Sequence, residues 1–234
     1  NMIRLFCNKS LILILIALSI QSTAGQNYTY KKGTADGIGK IYQGREISKV
    51  MGHFGAPWLE RSSRESEENP TLAVDLLQLT KKMVVVDFGA GSGYFTSKLA
   101  KQCSIVYAVD VQKEMLDLNA SQMKKKGIGN VKYILGDVSS TNLPKNTFDL
   151  FLLVDVYHEL EYPFEIMKDI KSTLKTKGKV VLLEYRKEDP SVPIKPLHKM
   201  SVKQVTKEMQ HVGFVLIENI QKLPRQHMLI FGKS

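Results

Sequence analysis

Cysteine is almost missing from this chain: its 234 residues include two, Cys7 and Cys103. Two thiols cannot build a disulfide framework or a cysteine-based zinc site. The histidines, His53, His158, His198, His211 and His227, show no recognisable ligand spacing, so the sequence points to no metal. A bilayer-spanning run is lacking too, since Leu11–Ile20 falls short of the ~20 apolar residues that cross a membrane comfortably. There is no internal repeat and no low-complexity tract, which sets a repeat array aside. Aromatic residues are not interleaved with the basic ones along any stretch, so a nucleic-acid partner is disfavoured despite the net charge of +10. The lysines of Lys124–Lys126 and of residues 168–179 read as solvated helix faces instead.

What is present places the chain among folded proteins. It is 43% hydrophobic and 24% charged, which excludes a mainly disordered chain. Its length suits one sizeable core. The first 25 residues hold Arg4 and Lys9 and no acid, then the apolar run, then Ser22-Thr23-Ala24-Gly25. A basic start, a short apolar stretch and a small-residue exit form an export-signal pattern. An uncleaved membrane anchor is the alternative, because Lys31, Lys32 and Lys40 flank the other side and blur the charge asymmetry. The expectation is therefore a secretory or periplasmic protein, or one held at a membrane, with placement on the cytosolic side still open.

From residue 83 onward, strands alternate with helices. Met83–Asp87, Ser104–Asp110, Val131–Leu135, Phe148–Asp155 and Val180–Glu184 read as strands, and the segments between them carry apolar residues at helical spacing. That pattern predicts a parallel sheet covered on both faces. Ser201-Val-Lys-Gln204 resembles a capping box opening a helix. Phe214–Ile220 and His227–Phe231 follow with only a short connection, so they should pair antiparallel. Upstream, residues 45–80 look helical in pieces, with a turn at Glu65–Pro70.

The strongest local signal is Asp87-Phe-Gly-Ala-Gly-Ser-Gly-Tyr94 at a strand-to-helix turn. Gly89, Gly91 and Gly93 let a ligand approach the backbone closely, and the helix N-terminus behind them favours negative charge. The spacing is G-x-G-x-G, which departs from the dinucleotide pattern G-x-G-x-x-G. Asp110 closes the second strand, where a carboxylate can accept hydrogen bonds from ribose hydroxyls.

Val84–Tyr94, Ala108-Val-Asp110, Gly136-Asp137 and Phe148–Asp155 fall in the order seen in class I S-adenosylmethionine-dependent methyltransferases, and the chain resembles that family over about residues 65–234. Quinone-biosynthesis C-methyltransferases and arsenite methyltransferases are the most similar members in pattern. The arsenite enzymes' reactive cysteines are missing, as is the Asn/Asp-Pro-Pro-aromatic motif of enzymes acting on base or amide nitrogens. Asp155-Val-Tyr-His158 stands there instead. The resemblance implies a Rossmann-like, doubly wound sheet of seven strands, mostly parallel with an antiparallel last strand. Residues 1–25 are then the signal or anchor, 26–64 an extension and lid, and 65–234 the methyltransferase domain.

The resemblance also implies roles. Asp87, Gly89 and Gly91 would line the methionine part of S-adenosylmethionine, Asp110 would hold the ribose and Val111 lie on the adenine. Asp137 would bind the adenine amino group with Val138 beside it, and Asp155 would sit near the methionine moiety and the methyl group. Ala90, Gly93 and Gly136 complete the implied cofactor set.

Methyl transfer needs positioning in a dry site and, where the acceptor carries a proton, a base. His158 and Tyr157 directly follow the fourth strand, and His158 reads as a general base or substrate contact, or else as a structural histidine beside Glu159. Glu184 and Tyr185 end the fifth strand at the same crevice, although Glu184 could pair with Arg186. Trp58 and His53 sit in a lid-like segment, and His198 and Met200 in a proline-stiffened loop. Each could touch substrate or simply pack. The leading expectation is methylation of a small or lipid-like acceptor; a non-catalytic binder of the same nucleoside and an NAD-linked oxidoreductase are the alternatives.

Overall fold

Runs such as Val84–Phe88 are extended because β-branched residues fit a pleated, buried surface, and the segments between them coil because their apolar residues recur on one helical face. A computed structural model describes residues 27–234. The expected signal or anchor of residues 1–25 lies outside the described residues. No described helix is long and apolar enough to cross a membrane.

The chain first forms a small antiparallel sheet of β1 (Tyr28–Tyr30), β2 (Gly37–Tyr42) and β3 (Arg45–Ser48). Residues 45–48 were expected to be helical, and the structure corrects this. Tyr42 pairs with Arg45 across a two-residue turn in which Gln43 (φ 50°) and Gly44 (φ 94°) are both left-handed. Left-handed geometry at both central positions matches the twist of a tight hairpin, so this turn selects strands. Three short helices follow, α1 (Ala56–Leu59), α2 (Arg64–Glu68) and α3 (Pro70–Leu76). The turn expected over Glu65–Pro70 narrows to Asn69, because Glu65–Glu68 belong to α2: Asn69 adopts φ 52°, and its side chain accepts the N–H of Leu72 at 3.1 Å. That cap satisfies a donor that the helix itself cannot.

The main sheet is built from β4 (Val84–Phe88), β5 (Ile105–Asp110), β6 (Val131–Leu135), β7 (Phe148–Val154), β8 (Leu174–Tyr185), β9 (Phe214–Ile220) and β10 (Gln226–Lys233). Its helices are α4 (Tyr94–Ala100), α5 (Lys113–Lys125), α6 (Pro163–Thr173) and α7 (Val202–His211). The seven strands lie in the order β6-β5-β4-β7-β8-β10-β9. β4 to β8 pair in parallel, and β10 runs antiparallel to both β8 and β9. The expected seven-stranded α/β architecture with a reversed last strand is thus the one observed. β8 begins at Leu174, ahead of the expected Val180, because α6 passes straight into it as Leu174 turns extended. Ser201 caps α7 as expected, accepting the N–H of Gln204 at 3.2 Å.

Side chains of the central strands alternate between two cores, as a period of two requires. Val86, Phe151, Leu153, Val180 and Leu182 face α6 and α7, where Ile166, Met167, Val205 and Met209 meet them. Val85, Leu150, Leu152, Val181 and Leu183 face α3 and α4, where Ala73, Val74, Phe95 and Leu99 lie. Chain order reverses at β4: β5 and β6 lie on one side of it, β7 and β8 on the other. Connections leaving the carboxyl ends of β4 and β7 diverge there and open a crevice.

Candidate active site

The crevice is a cavity of about 690 Å³. The loop after β4 contributes Gly89 and Gly91 to its wall, Asp110 ends β5 with Val111 next to it, and Asp137 and Val138 follow β6. Asp155, Val156 and His158 come from the end of β7, and Tyr185 from the end of β8. Trp58, Arg61 and Arg64 close one side, and Pro193, Ile194, Lys195 and His198 another. Cofactor and substrate candidates from distant parts of the chain therefore share one chamber.

The glycine loop works by close approach. Gly89 has φ 73°, and a Cβ there would stand 2.4 Å from Val156 Cγ2, so the β4 and β7 connections touch only because the position is bare. The N–H of Gly91 donates to Asp110 Oδ2 at 2.9 Å, and the N–H of Gln112 donates to Asp110 Oδ1 at 2.9 Å. Those bonds fix the Asp110 carboxylate at the cavity wall. Burial raises its pKa, opposed by the N–H groups of Gln112, Gly91 and Val111. Asp137 is exposed and accepts from Ser139 N–H and Oγ at 3.0 and 2.9 Å, bonds that lower its pKa. Val111 and Val138 stay unusually open for valine, 44% and 46% exposed, which leaves apolar surface on both sides of this end of the chamber.

Several expected cofactor residues lie behind the wall. Asp87 is buried and accepts from Thr96 Oγ1 at 2.6 Å. Burial pushes its carboxyl up to about 6 against that bond. It braces β4 against α4 and does not line the cavity. Gly93 faces Asn119, whose Oδ1 would lie 2.5 Å from an added Cβ, so its bareness serves helix packing. Ala90 is buried within the loop, and Gly136 donates its N–H to the Asp110 carbonyl. Neither lines the cavity.

Charge accumulates at the β7–β8 end. Asp155 holds a left-handed backbone, φ 53°, that only the surrounding structure can sustain. Its Oδ2 accepts from Gln226 Nε2 at 2.7 Å, while its Oδ1 is buried with no partner among the described residues. Burial, with the carboxylates of Glu68 and Glu184 nearby, raises its pKa well above the ordinary carboxyl range. His158 Nδ1 lies 2.7 Å from Glu184 Oε2, and Glu184 Oε1 accepts the N–H of Tyr157 at 2.9 Å. Glu184 is wholly buried and acts on the site through His158. Burial disfavours charge on the imidazole, but Glu184, Glu159 and Asp155 outweigh it and raise its pKa. The His198 ring stands 5.2 Å from the His158 ring, edge to face; burial and then His158 lower its pKa. Burial drives Glu159 up to about 7, opposed by His158 and by the N–H of Met51.

Three expected substrate or catalytic residues are elsewhere. Tyr157 is fully buried in the core beside Arg45 and Glu208, because its turn points it away from the crevice. His53 stacks on Phe54 at 4.2 Å and does not line the cavity. Met200 is core. Glu184 does not pair with Arg186, whose Nη1 donates to the carbonyls of Leu223 and Gln226 at 2.8 Å each. Trp58 lines the cavity with Arg61 stacked on its ring at 3.7 Å, and Tyr185 lines it while donating to Glu68 Oε1 at 2.6 Å.

The sequence reading missed that Glu68 is buried and bound by Arg64 at 2.8 Å, by Arg61 and by Tyr185. The i,i+4 spacing of Arg64 and Glu68 was the available signal. It also missed Arg45, which forms a bidentate pair with Glu208 at 2.8 and 2.9 Å and donates to the His158 carbonyl at 2.9 Å. Arg45 thereby fixes the turn on which His158 stands.

Residues 86–182 match the family described as a methyltransferase domain. That segment is similar to methyltransferase domains, and the fold around it is the class I methyltransferase fold. It is 28% identical over 107 residues to the uncharacterized methyltransferase YcgJ of Bacillus subtilis, covering 45% of this chain and 42% of that one. It is 25% identical over 118 residues to the ubiquinone/menaquinone biosynthesis C-methyltransferase UbiE of Idiomarina loihiensis, covering 49% and 47%. The chain thus spans less than half the length of these relatives. The fold of a SAM-dependent methyltransferase from Aquifex aeolicus superposes with a TM-score of 0.71 at 22% identity, covering 78% of this chain and 98% of that one.

Proposed function

We propose that the protein transfers a methyl group from S-adenosylmethionine to a small or lipid-like acceptor bound in the same chamber. The observation that carries this reading is the buried Oδ1 of Asp155 at the cavity wall, which has no partner among the described residues. A desolvated carboxylate oxygen is costly unless a donor or positive charge meets it, and the cationic methionine end of the cofactor is such a partner. Asp110 would hold the ribose, and the exposed Val111 and Val138 would cover the adenine. S-adenosylmethionine, when bound, supplies an electrophilic methyl group on a sulfonium. The chain's own part is to position, to exclude water and to meet the acceptor. Trp58 and the 193–198 segment shield the chamber, and His158, oriented by Glu184, stands at its acceptor end.

Relatives named for quinone-biosynthesis C-methylation support a small, lipid-like acceptor, as does the apolar share of the wall. An anionic membrane surface would suit a basic protein drawing on lipid-like acceptors, and residues 1–25 would serve that placement. Titration calorimetry should show one S-adenosylmethionine bound per chain. Incubation with methyl-labelled cofactor and a cell extract should then yield a labelled small molecule. Tight NAD binding without sulfonium binding would refute the cofactor reading, and sulfonium binding with no labelled product would refute the transferase reading.

A further inference from the structure

His158 and Glu159 sit on the turn after β7, and His198 sits on a separate turn in the loop after β8. One nitrogen or carboxylate oxygen from each lies within 4.8 Å of the others. Nδ1 of His158 is taken by Glu184, leaving Nε2 as its free nitrogen. Glu159 receives the N–H of Met51 on Oε2 at 3.1 Å, which leaves Oε1 uncommitted. The His198 ring has no hydrogen-bond partner among the described residues. All three residues border the cavity.

We propose that His158, Glu159 and His198 bind one divalent transition-metal ion of the zinc type, with its remaining coordination position open to the cavity. Two imidazoles and one carboxylate are a donor set that suits zinc, and three protein ligands leave a place for an exchangeable one. Bonds of about 2.0–2.2 Å would require the ligand atoms to close to roughly 3.3 Å. His198 can supply that movement, since it lies on a loop whereas His158 is held from behind by Glu184 and Arg45. The Glu184–His158 pair has the form of the carboxylate–histidine support that orients metal-bound imidazoles and raises their basicity. Arg45, bound to the His158 carbonyl at 2.9 Å, holds the same turn through its main chain.

The open position faces the chamber in which the acceptor is proposed to bind, and in that respect alone the inference rests on the proposed function. A zinc-type ion there would take an anionic oxygen, nitrogen or sulfur of the acceptor, or water in its absence, and would lower the pKa of whatever it held. The acceptors best suited are therefore those with an ionisable hydroxyl or thiol.

The test uses the full chain without a histidine tag, stripped with a chelator and titrated with Zn²⁺ and with Co²⁺. One ion per chain and a visible Co²⁺ spectrum of low-coordinate nitrogen and oxygen ligation are expected. His198→Ala and the isosteric Glu159→Gln should each weaken binding more than tenfold, whereas His211→Ala, on the far end of α7, should leave it unchanged. Absence of a stoichiometric ion, equal affinity in His198→Ala, or loss of binding in His211→Ala would overturn the proposal. Calorimetry of S-adenosylmethionine with the metal-stripped protein separates the two readings. Sulfonium binding without any metal site removes only the metal, and metal binding without sulfonium binding removes only the transferase.

Discussion

The two halves of the crevice handle charge differently. On the β4–β5 side each acid is met by the chain itself: Asp87 by Thr96, and Asp110 by the N–H groups of Gly91 and Gln112. On the β7–β8 side the matching is incomplete. Asp155 keeps one buried oxygen without a partner among the described residues, burial has driven Glu159 up to about 7, and His158 on the turn after β7 leans on Glu184 of β8. The first half is a finished scaffold that presents a ligand surface. The second half keeps under-partnered acids, which burial inclines to hold their protons, at the place where a cation, an acceptor or an ion can meet them. Ligand-free stability should thus depend on the first side and reactivity on the second.

The largest effect should come from the reactive side. His158→Ala should lower turnover by about a thousandfold while S-adenosylmethionine still binds, measured by calorimetry beside a single-turnover assay. Equal losses in both would mean that the two halves are not separable. Gly89→Ala should be the most damaging change on the scaffold side. Its left-handed backbone and the overlap with Val156 together should cost ~3–4 kcal/mol of stability, read by denaturant unfolding.

Asp87→Asn tests the scaffold through pH. The unfolded carboxyl loses its proton near pH 4, whereas burial holds the folded one to about 6. The Asp87 contribution to stability should therefore fall as pH rises through that window, by at most ~2–3 kcal/mol, and be lost above it. The Asn variant, which still accepts from Thr96, should lose that share of the slope and keep the shares of Asp110, Asp155 and Glu159, whose carboxyls burial also raises. A slope between about pH 4 and 6 unchanged in the variant would place its origin in another group. The smallest effect expected is that of Asp110→Ala, a loss of cofactor affinity of more than tenfold, or roughly 1.4 kcal/mol. Unchanged affinity would refute its ribose role.

The scaffold side was also the more legible one. Asp87, the glycine loop and Asp110 lie in a short stretch where strand, turn and helix signals coincide, so their context could be read from neighbours in sequence. Even there, contiguity misled: Asp87, Ala90 and Gly93 share the motif yet serve packing, because alternate positions of a strand or turn face opposite ways. The His158 site was only half legible. Its place after the fourth strand could be read, but its partner could not, since Glu159 is adjacent in sequence whereas Glu184 is adjacent in space. Tyr157, next to His158, was placed in the site by proximity and belongs to the core because a tight turn separates successive side chains.

The alternation of strands and helices along the chain, the antiparallel closing pair, the cap of α7 and the glycine turn were determined by the sequence alone. Each depends on residues within a few positions of one another, where propensity and hydrophobic period act. Tertiary structure decided which polar groups find partners. Parallel pairing of β7 with β8 sets Glu184 behind His158, the loop after β8 carries His198 to them, and a hairpin at residues 42–45 sends Arg45 beneath their turn. These contacts join residues far apart in the chain, and only the packed sheet brings their side chains within reach of a hydrogen bond or a shared ion.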